Sequence, residues 1–242
     1  MLRWDAHEAL HRTEMTACSV IAQETAKECN VDQSPRFVQR FAGKTSSRDR
    51  TSLFQQKPVT VWLTGLSGAG KSTIAFELER QFMALGHACY VLDGDNVRHG
   101  LTSDLGFRPE DRHENIRRIA HVAQMMNEAG LIVISALISP MREDRAMARE
   151  IIGQDRFMET WLSASLDSCA RRDPKGLYAR ARAGEIQSFT GVSAPYEPPT
   201  VPDLVVETDV LDVSASVALI FEHLCDKCLM EADRSRLRKI AS

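Results

Sequence analysis

The 242-residue chain has no apolar run approaching the roughly 20 residues that cross a bilayer. Its start also lacks the apolar core of a signal peptide. The opening stretch instead carries Asp5, Glu8, Glu14, Glu24, Glu28 and Asp32, whereas organelle transit peptides are poor in acids. A large charge of either sign is missing too. The net charge is −3, so there is no global attraction to nucleic acid or a membrane surface, and any anionic ligand must be caught locally. Six cysteines (Cys18, Cys29, Cys89, Cys169, Cys225 and Cys228) form no disulfide framework, which suits free thiols in a reducing compartment. Cys225 and Cys228 make a lone C-x-x-C without a second pair to complete a zinc site, and are read as structural. These absences predict a soluble cytoplasmic protein with no nucleic-acid or membrane partner.

What is present centres on Val59 to Thr73, V-T-V-W-L-T-G-L-S-G-A-G-K-S-T. A β-branched apolar run stops at a glycine loop, and a helix-forming stretch follows at once. Gly65, Gly70, Lys71 and Ser72 fit G-x-x-x-x-G-K-[ST], the phosphate loop. Glycines let the backbone curl so that successive amides point inward, and the helix N-terminus behind them adds partial positive charge. Gly65, Leu66, Ser67, Gly68, Ala69, Gly70, Lys71, Ser72 and Thr73 are therefore the candidate ATP site. Lys71 is expected to reach the β and γ phosphates, and the Ser72 hydroxyl to complete the coordination of Mg2+.

At this length the chain accommodates one α/β domain of about 180 residues plus an appendage. Residues 1–57 read as an N-terminal extension, partly helical or disordered, with a Gly/Lys/Ser/Arg-rich linker from Gly43 to Arg50. Residues 58–232 read as the catalytic domain and 233–242 as a tail. Strands are expected at Val59–Leu63, Ala88–Leu92, Leu131–Ser135, Phe157–Leu162 and Leu204–Val206, and helices at 72–85, 109–129, 142–152 and 213–230. The alternation predicts a P-loop NTPase-type α/β fold, a three-layer arrangement with a mainly parallel sheet and a mobile lid. Ligands in such sheets bind beyond the C-terminal ends of the strands.

The residues after each strand therefore carry the chemistry. After the second strand, Asp93-Gly-Asp-Asn-Val-Arg98 supplies carboxylates that bind a magnesium shell or take a proton from a hydroxyl. Asp95 is assigned that duty and Asp93 the orientation of the loop. No Walker B carboxylate ends the third strand, which argues against a motor ATPase or GTPase. Arg112 and Asn115 share a helix face, Arg98 lies upstream, and together they suggest a second anion site, with Phe107 able to stack on a purine. Ser139, in the turn before Pro140, is read as a phosphorylated nucleophile, a donor to substrate or simple turn chemistry, with substrate positioning ranked first because no histidine is placed to activate it. Farther on, the basic stretch Cys169 to Gly184 has the mobile, cationic character of a lid, with Lys175, Arg180 and Arg182 as candidates and Phe189 as a second stacking ring.

In order, G-L-S-G-A-G-K-S-T, D-G-D-N-V-R-H-G-L, D-L-G-F, R-x-x-N-I-R-R, I-S-P, D-P-K-G-L-Y-x-x-A-R-A-G-E-I and F-T-G-V-x-x-P-Y-E-x-P resemble the adenylylsulfate kinase family over about Gln56 to Leu224. The resemblance implies transfer of the ATP γ-phosphate to the 3′-hydroxyl of adenosine 5′-phosphosulfate, with Mg2+, in sulfate assimilation. It implies a substrate pocket of Asp95, Arg98, Phe107, Arg112, Asn115, Ile138, Ser139 and Phe189, with Lys175 in the lid. Catalytic residues on this reading are Ser139, Asp95 and Lys71, and metal residues Ser72 and Asp95. Family members are commonly dimers and some are fused to ATP sulfurylase, so a homodimer and a functional link to a sulfurylase are expected. Ala136-Leu137 departs from the more usual Ala-Phe before the I-S-P turn. Two other readings have distinct signatures. A kinase for another small metabolite would be exposed by substrate profiling, and a catalytically retired nucleotide-binding subunit would have lost Lys71, Ser72 or Asp95, all of which are intact.

Overall fold

The computed structural model describes residues 41 and 43–227, with only the backbone of 225–227. The first 40 residues of the expected extension, the tail 233–242 and the Cys225/Cys228 pair lie outside the described side chains. Five strands, β1 (Thr60–Thr64), β2 (Cys89–Asp93), β3 (Ile132–Ala136), β4 (Phe157–Ser163) and β5 (Leu204–Glu207), form one sheet in the order β2-β3-β1-β4-β5. Every neighbouring pair is parallel. The helices are α1 (Ser47–Phe54), α2 (Lys71–Ala84), α3 (Gly94–Val97), α4 (Pro109–Glu128), α5 (Arg142–Ile152), α6 (Leu166–Arg172), α7 (Leu177–Arg182) and α8 (Val213–Lys227).

Side chains alternate across a strand, and the central strand shows what that does here. Val61 and Leu63 of β1 face a core shared with Ile74, Leu78 and Phe82 of α2 and Val217, Ile220 and Phe221 of α8. Trp62, between them, faces a separate core with Ile116, Ile119 and Ala123 of α4 and Ala148 and Ile152 of α5. Strand β1 is buried along its whole length, as a strand covered on both faces must be. Aromatic pairs close each layer, Phe82 with Phe221 at 4.7 Å and Trp62 with Phe157 at 5.5 Å between ring centroids. The sandwich leaves the C-terminal ends of β1, β2, β3 and β4 to carry loops on one edge.

The compact unit that holds the sheet begins at Thr45, ahead of the boundary expected at residue 57, and the residues just after Thr45 bond to the rest of that unit. Ser46 caps α1 reciprocally with Asp49, and Arg50 donates to the Glu128 carbonyl at 3.0 Å. Gln56 is 1% exposed. Its amide nitrogen donates to the carbonyls of Ala88 and Gly130, both at 2.8 Å, and its oxygen accepts from the Ala88 amide at 2.9 Å. One side chain thus ties the start of β2 to the turn before β3.

Candidate active site

The phosphate loop is seated on elements that come much later in the chain. Gly65 has φ +151°, and a Cβ there would stand 2.7 Å from the Leu162 carbonyl oxygen. Gly68 has φ +78°, and a Cβ there would stand 2.8 Å from the Cys169 carbonyl oxygen. Only glycine allows the loop to lie this close to the end of β4 and to α6. Lys71 opens α2 and is 8% exposed. Its ammonium donates to the carbonyls of Gly65 at 2.9 Å and Leu66 at 2.7 Å. Burial lowers its pKa to about 8 against the opposing pull of Cys169, Asp93 and Asp95, with the nearby Lys175 adding a smaller depression. The helix itself has no side-chain cap at Gly70, so the amides of its first turn are directed to the loop as anion donors.

On the acidic side, Asp93 rather than Asp95 meets the loop. Asp93 ends β2 and is 6% exposed. One of its oxygens accepts from the Ser72 hydroxyl at 2.6 Å, and the other accepts from the amides of Asp95 at 3.0 Å and Asn96 at 3.3 Å. Asp93 therefore orients the following loop, as expected, and also holds the serine. Asp95, expected beside that serine as a metal residue, is exposed and forms an ion pair with Lys175 of the lid region. The Ser72 and Asp93 oxygens are the hard donors that Mg2+ prefers. Among the described residues no group of three His, Cys, Asp or Glu could cage a metal.

The residues expected to form a second anion site include two arginines and a ring. Arg98 lies 4.3 Å from the Phe107 ring centroid and donates to the carbonyls of Leu105 and Gly106. Arg112 donates to the Phe107 carbonyl at 2.9 Å, to the Thr190 hydroxyl at 2.9 Å and to the Ser188 carbonyl at 2.7 Å. It thus joins the two segments that carry Phe107 and Phe189. Burial pushes the pKa of both guanidiniums down. Phe107 is 61% exposed with the Arg98 guanidinium over its ring, whereas Phe189 is buried edge-on to Tyr178 at 5.0 Å. Asn115, one turn after Arg112, is buried, and its Oδ1 has no hydrogen-bond partner.

Beyond β3, Ser139 is 3% exposed and holds φ +38°. Its hydroxyl accepts from the Trp62 indole at 3.2 Å. That partner is a donor and not a base, so the bond favours positioning over nucleophilic attack. The Ile138 carbonyl accepts from the Thr64 hydroxyl at 2.8 Å, and Thr64 also meets the Tyr196 hydroxyl at 3.1 Å. Tyr196 and Leu66 help to line a cleft of about 520 Å³ together with Leu166 and residues 191–195. In the lid region, Arg180 pairs with Glu185, Arg182 is exposed, and Tyr178 donates to the Ser67 carbonyl at 2.9 Å, bonding α7 to the phosphate loop. Tyr178, Trp62, Thr64 and Tyr196 escaped the sequence reading. Tyr178 and Tyr196 had a signal, their places inside the D-P-K-G-L-Y and F-T-G-V-x-x-P-Y-E-x-P runs.

The model of the adenylylsulphate kinase family matches residues 57–207. An adenylyl-sulfate kinase of Vibrio cholerae is 48% identical over 200 residues, covering 83% of this chain and 93% of its own. The bifunctional enzyme NodQ of Rhizobium tropici is 58% identical over 159 residues, covering 66% of this chain and 25% of its own. Among solved structures, the Mycobacterium tuberculosis APS kinase CysC in complex with AMPPNP and APS is similar with a TM-score of 0.67 at 46% identity, covering 69% of this chain and 98% of its own.

Proposed function

The chain belongs to the adenylylsulphate kinase family, and from that premise we infer how its residues carry the reaction. The γ-phosphate of ATP passes to the 3′-hydroxyl of adenosine 5′-phosphosulfate, giving 3′-phosphoadenosine 5′-phosphosulfate and ADP. One observation supports the site assignment above the others: Lys71, Ser72 and Asp93 converge with Asp95 and Lys175 on the edge of the sheet where β1 and β2 end.

Residues Gly65 to Thr73 cradle the ATP phosphates, and Lys71 turns from its own loop carbonyls to the β and γ oxygens. Ser72 and Asp93 would hold Mg2+, which supplies charge neutralisation on the β and γ phosphates when bound. Arg98, Arg112 and Asn115 bind the acceptor's anionic groups, with the unpaired Asn115 Oδ1 taking a donor from it. Phe107 stacks on its base, whereas Phe189, expected opposite it, is enclosed against Tyr178, and Ile138 and Ser139 form the wall beneath. Asp95 accepts the proton of the 3′-hydroxyl once Lys175 releases it to contact phosphate. Transfer is in line and direct, since phosphoryl transfer depends mainly on positioning and charge stabilisation, and the Ser139 hydroxyl is enclosed beside Trp62.

The kinase unit starts at Thr45 in this reading, and the protein works in the cytoplasm as a homodimer supplied by an ATP sulfurylase. No helix of the described residues is long and apolar enough to cross a membrane. The test uses purified protein, magnesium ATP and adenosine 5′-phosphosulfate, with AMP and gluconate as controls. Product 3′-phosphorylated from the phosphosulfate alone is expected. Phosphorylation of gluconate in preference would overturn the assignment.

A further inference from the structure

Arg145 lies in the second turn of α5 and is 2% exposed. Its guanidinium reaches three segments at once. Nε donates to Glu159 of β4 at 2.6 Å, Nη1 donates to the Ser139 carbonyl at 2.7 Å, and Nη2 donates to the Glu197 carbonyl at 2.7 Å. A buried cation is unfavourable unless it is paired and its donors are satisfied. Here the compensation continues outward: Arg149 stands 3.7 Å from Glu159 and 2.7 Å from Asp203, which also accepts from the Glu159 amide. Charges of alternating sign hold Glu159 in place, and Arg145 is left with two donor edges for backbone.

The two carbonyls it holds matter because of where they stand. Ser139 is a non-glycine residue at positive φ, a conformation that persists only when its surroundings hold it. Glu197 belongs to the segment that follows the wall of the cleft beside the phosphate loop. That segment is stitched to the turn after β3 by further bonds. The Glu197 amide donates to the Pro140 carbonyl at 2.9 Å, and Arg142 donates to Glu197 and to the Pro198 carbonyl, both at 2.8 Å. At its other end, Arg112 holds Ser188 and Thr190. Residues 188–198 are thus a strap fastened at both ends; Arg145 joins it to Ser139 through two short bonds, beside a longer link in which Thr64 meets Tyr196 and the Ser139 carbonyl.

We propose that Arg145 is a positioning residue for the acceptor: through Ser139 and Glu197 it sets the width of the pocket that takes the phosphosulfate, and it has no part in holding ATP. This rests on the reading of the site as an adenylylsulfate kinase. A lysine cannot replace it, because one ammonium on a flexible stem does not span three fixed directions as a planar guanidinium does.

The experiment compares wild type, Arg145→Lys and Glu159→Gln by steady-state kinetics with both substrates varied. Misplacement of a positioning group by about 1 Å can lower turnover about a hundredfold, so Arg145→Lys is expected to raise KM for adenosine 5′-phosphosulfate at least about tenfold while KM for ATP stays within about twofold. Glu159→Gln keeps an acceptor and shifts the same constant less. The NMR resonance of the Trp62 indole N–H, bonded to Ser139, is expected to move in both variants. Equal rises in both KM values, or an unchanged phosphosulfate KM, would overturn the proposal, as would an unmoved indole resonance. Should Arg145→Lys fail to fold, Glu159→Gln decides by the same criteria. A wild type inactive on the phosphosulfate would sink the kinase reading and this proposal together, whereas an active wild type with an indifferent variant sinks the proposal alone.

Discussion

Lys71 carries two opposite dependences on pH. Burial holds its folded-state pKa at about 8, below the ordinary 10.5. Between those values the unfolded chain keeps a proton that the folded chain has released, so this group's contribution to stability rises with pH across the window. Catalysis runs the other way, because the γ-phosphate needs the ammonium: kcat/KM for ATP is expected to fall as pH passes about 8. Denaturant unfolding of wild type and Lys71→Met at pH values spanning the window checks the first, and a difference in stability that stays flat would refute it. Lys71→Ala is expected to lose at least about a hundredfold in kcat, roughly 3 kcal/mol of transition-state stabilisation. Ser139→Ala should behave differently. It leaves the buried Trp62 N–H unpaired, at about 1–3 kcal/mol of stability, and raises the phosphosulfate requirement while part of the turnover survives. Kinetics with mass spectrometry of the wild type test this, since complete loss of turnover together with a trapped phosphoserine would establish the covalent route instead.

Among the elements, the phosphate loop and α6 are built as a pair. Gly68→Ala drives a methyl to 2.8 Å from the Cys169 carbonyl while the backbone sits at φ +78°. A strain of roughly 2 kcal/mol follows, about thirtyfold in ATP affinity, which calorimetric titration with magnesium ATP measures; unchanged affinity would mean that the loop is not seated on α6. The same pairing explains what could be read from the sequence. The strands announced themselves as short apolar runs alternating with helical stretches, and α4 as an apolar face opened by Pro109 and closed before Gly130. Helix α1 did not, because none of its residues is buried and its marker, the Ser46–Asp49 capping box, lies in a stretch with linker composition. The four residues of α3, the seven of α6 and the six of the glycine-bounded α7 were too short to show a period. The phosphate loop was legible because its chemistry is local in sequence. The bond from Ser72 to Asp93 and the reach of Arg145 to Ser139 and Glu197 were not, since both depend on which strand ends the sheet order places side by side.

At the scale of the whole molecule, Gln56 fastens the entry of the chain to the opposite edge of the sheet from the site. Gln56→Ala unpairs the part-buried Ala88 amide and the Gly130 carbonyl, while the Ala88 carbonyl keeps the Ile132 amide, and is expected to lower stability by about 1–3 kcal/mol. Removing residues 1–57 should do the same, whereas removing 1–44 should leave the unfolding midpoint in urea nearly unchanged; equal effects of the two truncations would return the boundary to residue 57. The sheet order has a further consequence in time. Strand β1 lies between β3 and β4, with Thr60 paired to Val133 and to Phe157, and the loop that follows it rests on carbonyls of Leu162 and Cys169. Ribosomes add about 5–20 residues per second, so the loop waits roughly 5–20 seconds after its own synthesis for its bed to emerge. A nascent chain halted after α2 therefore carries every letter of the nucleotide motif and holds no nucleotide.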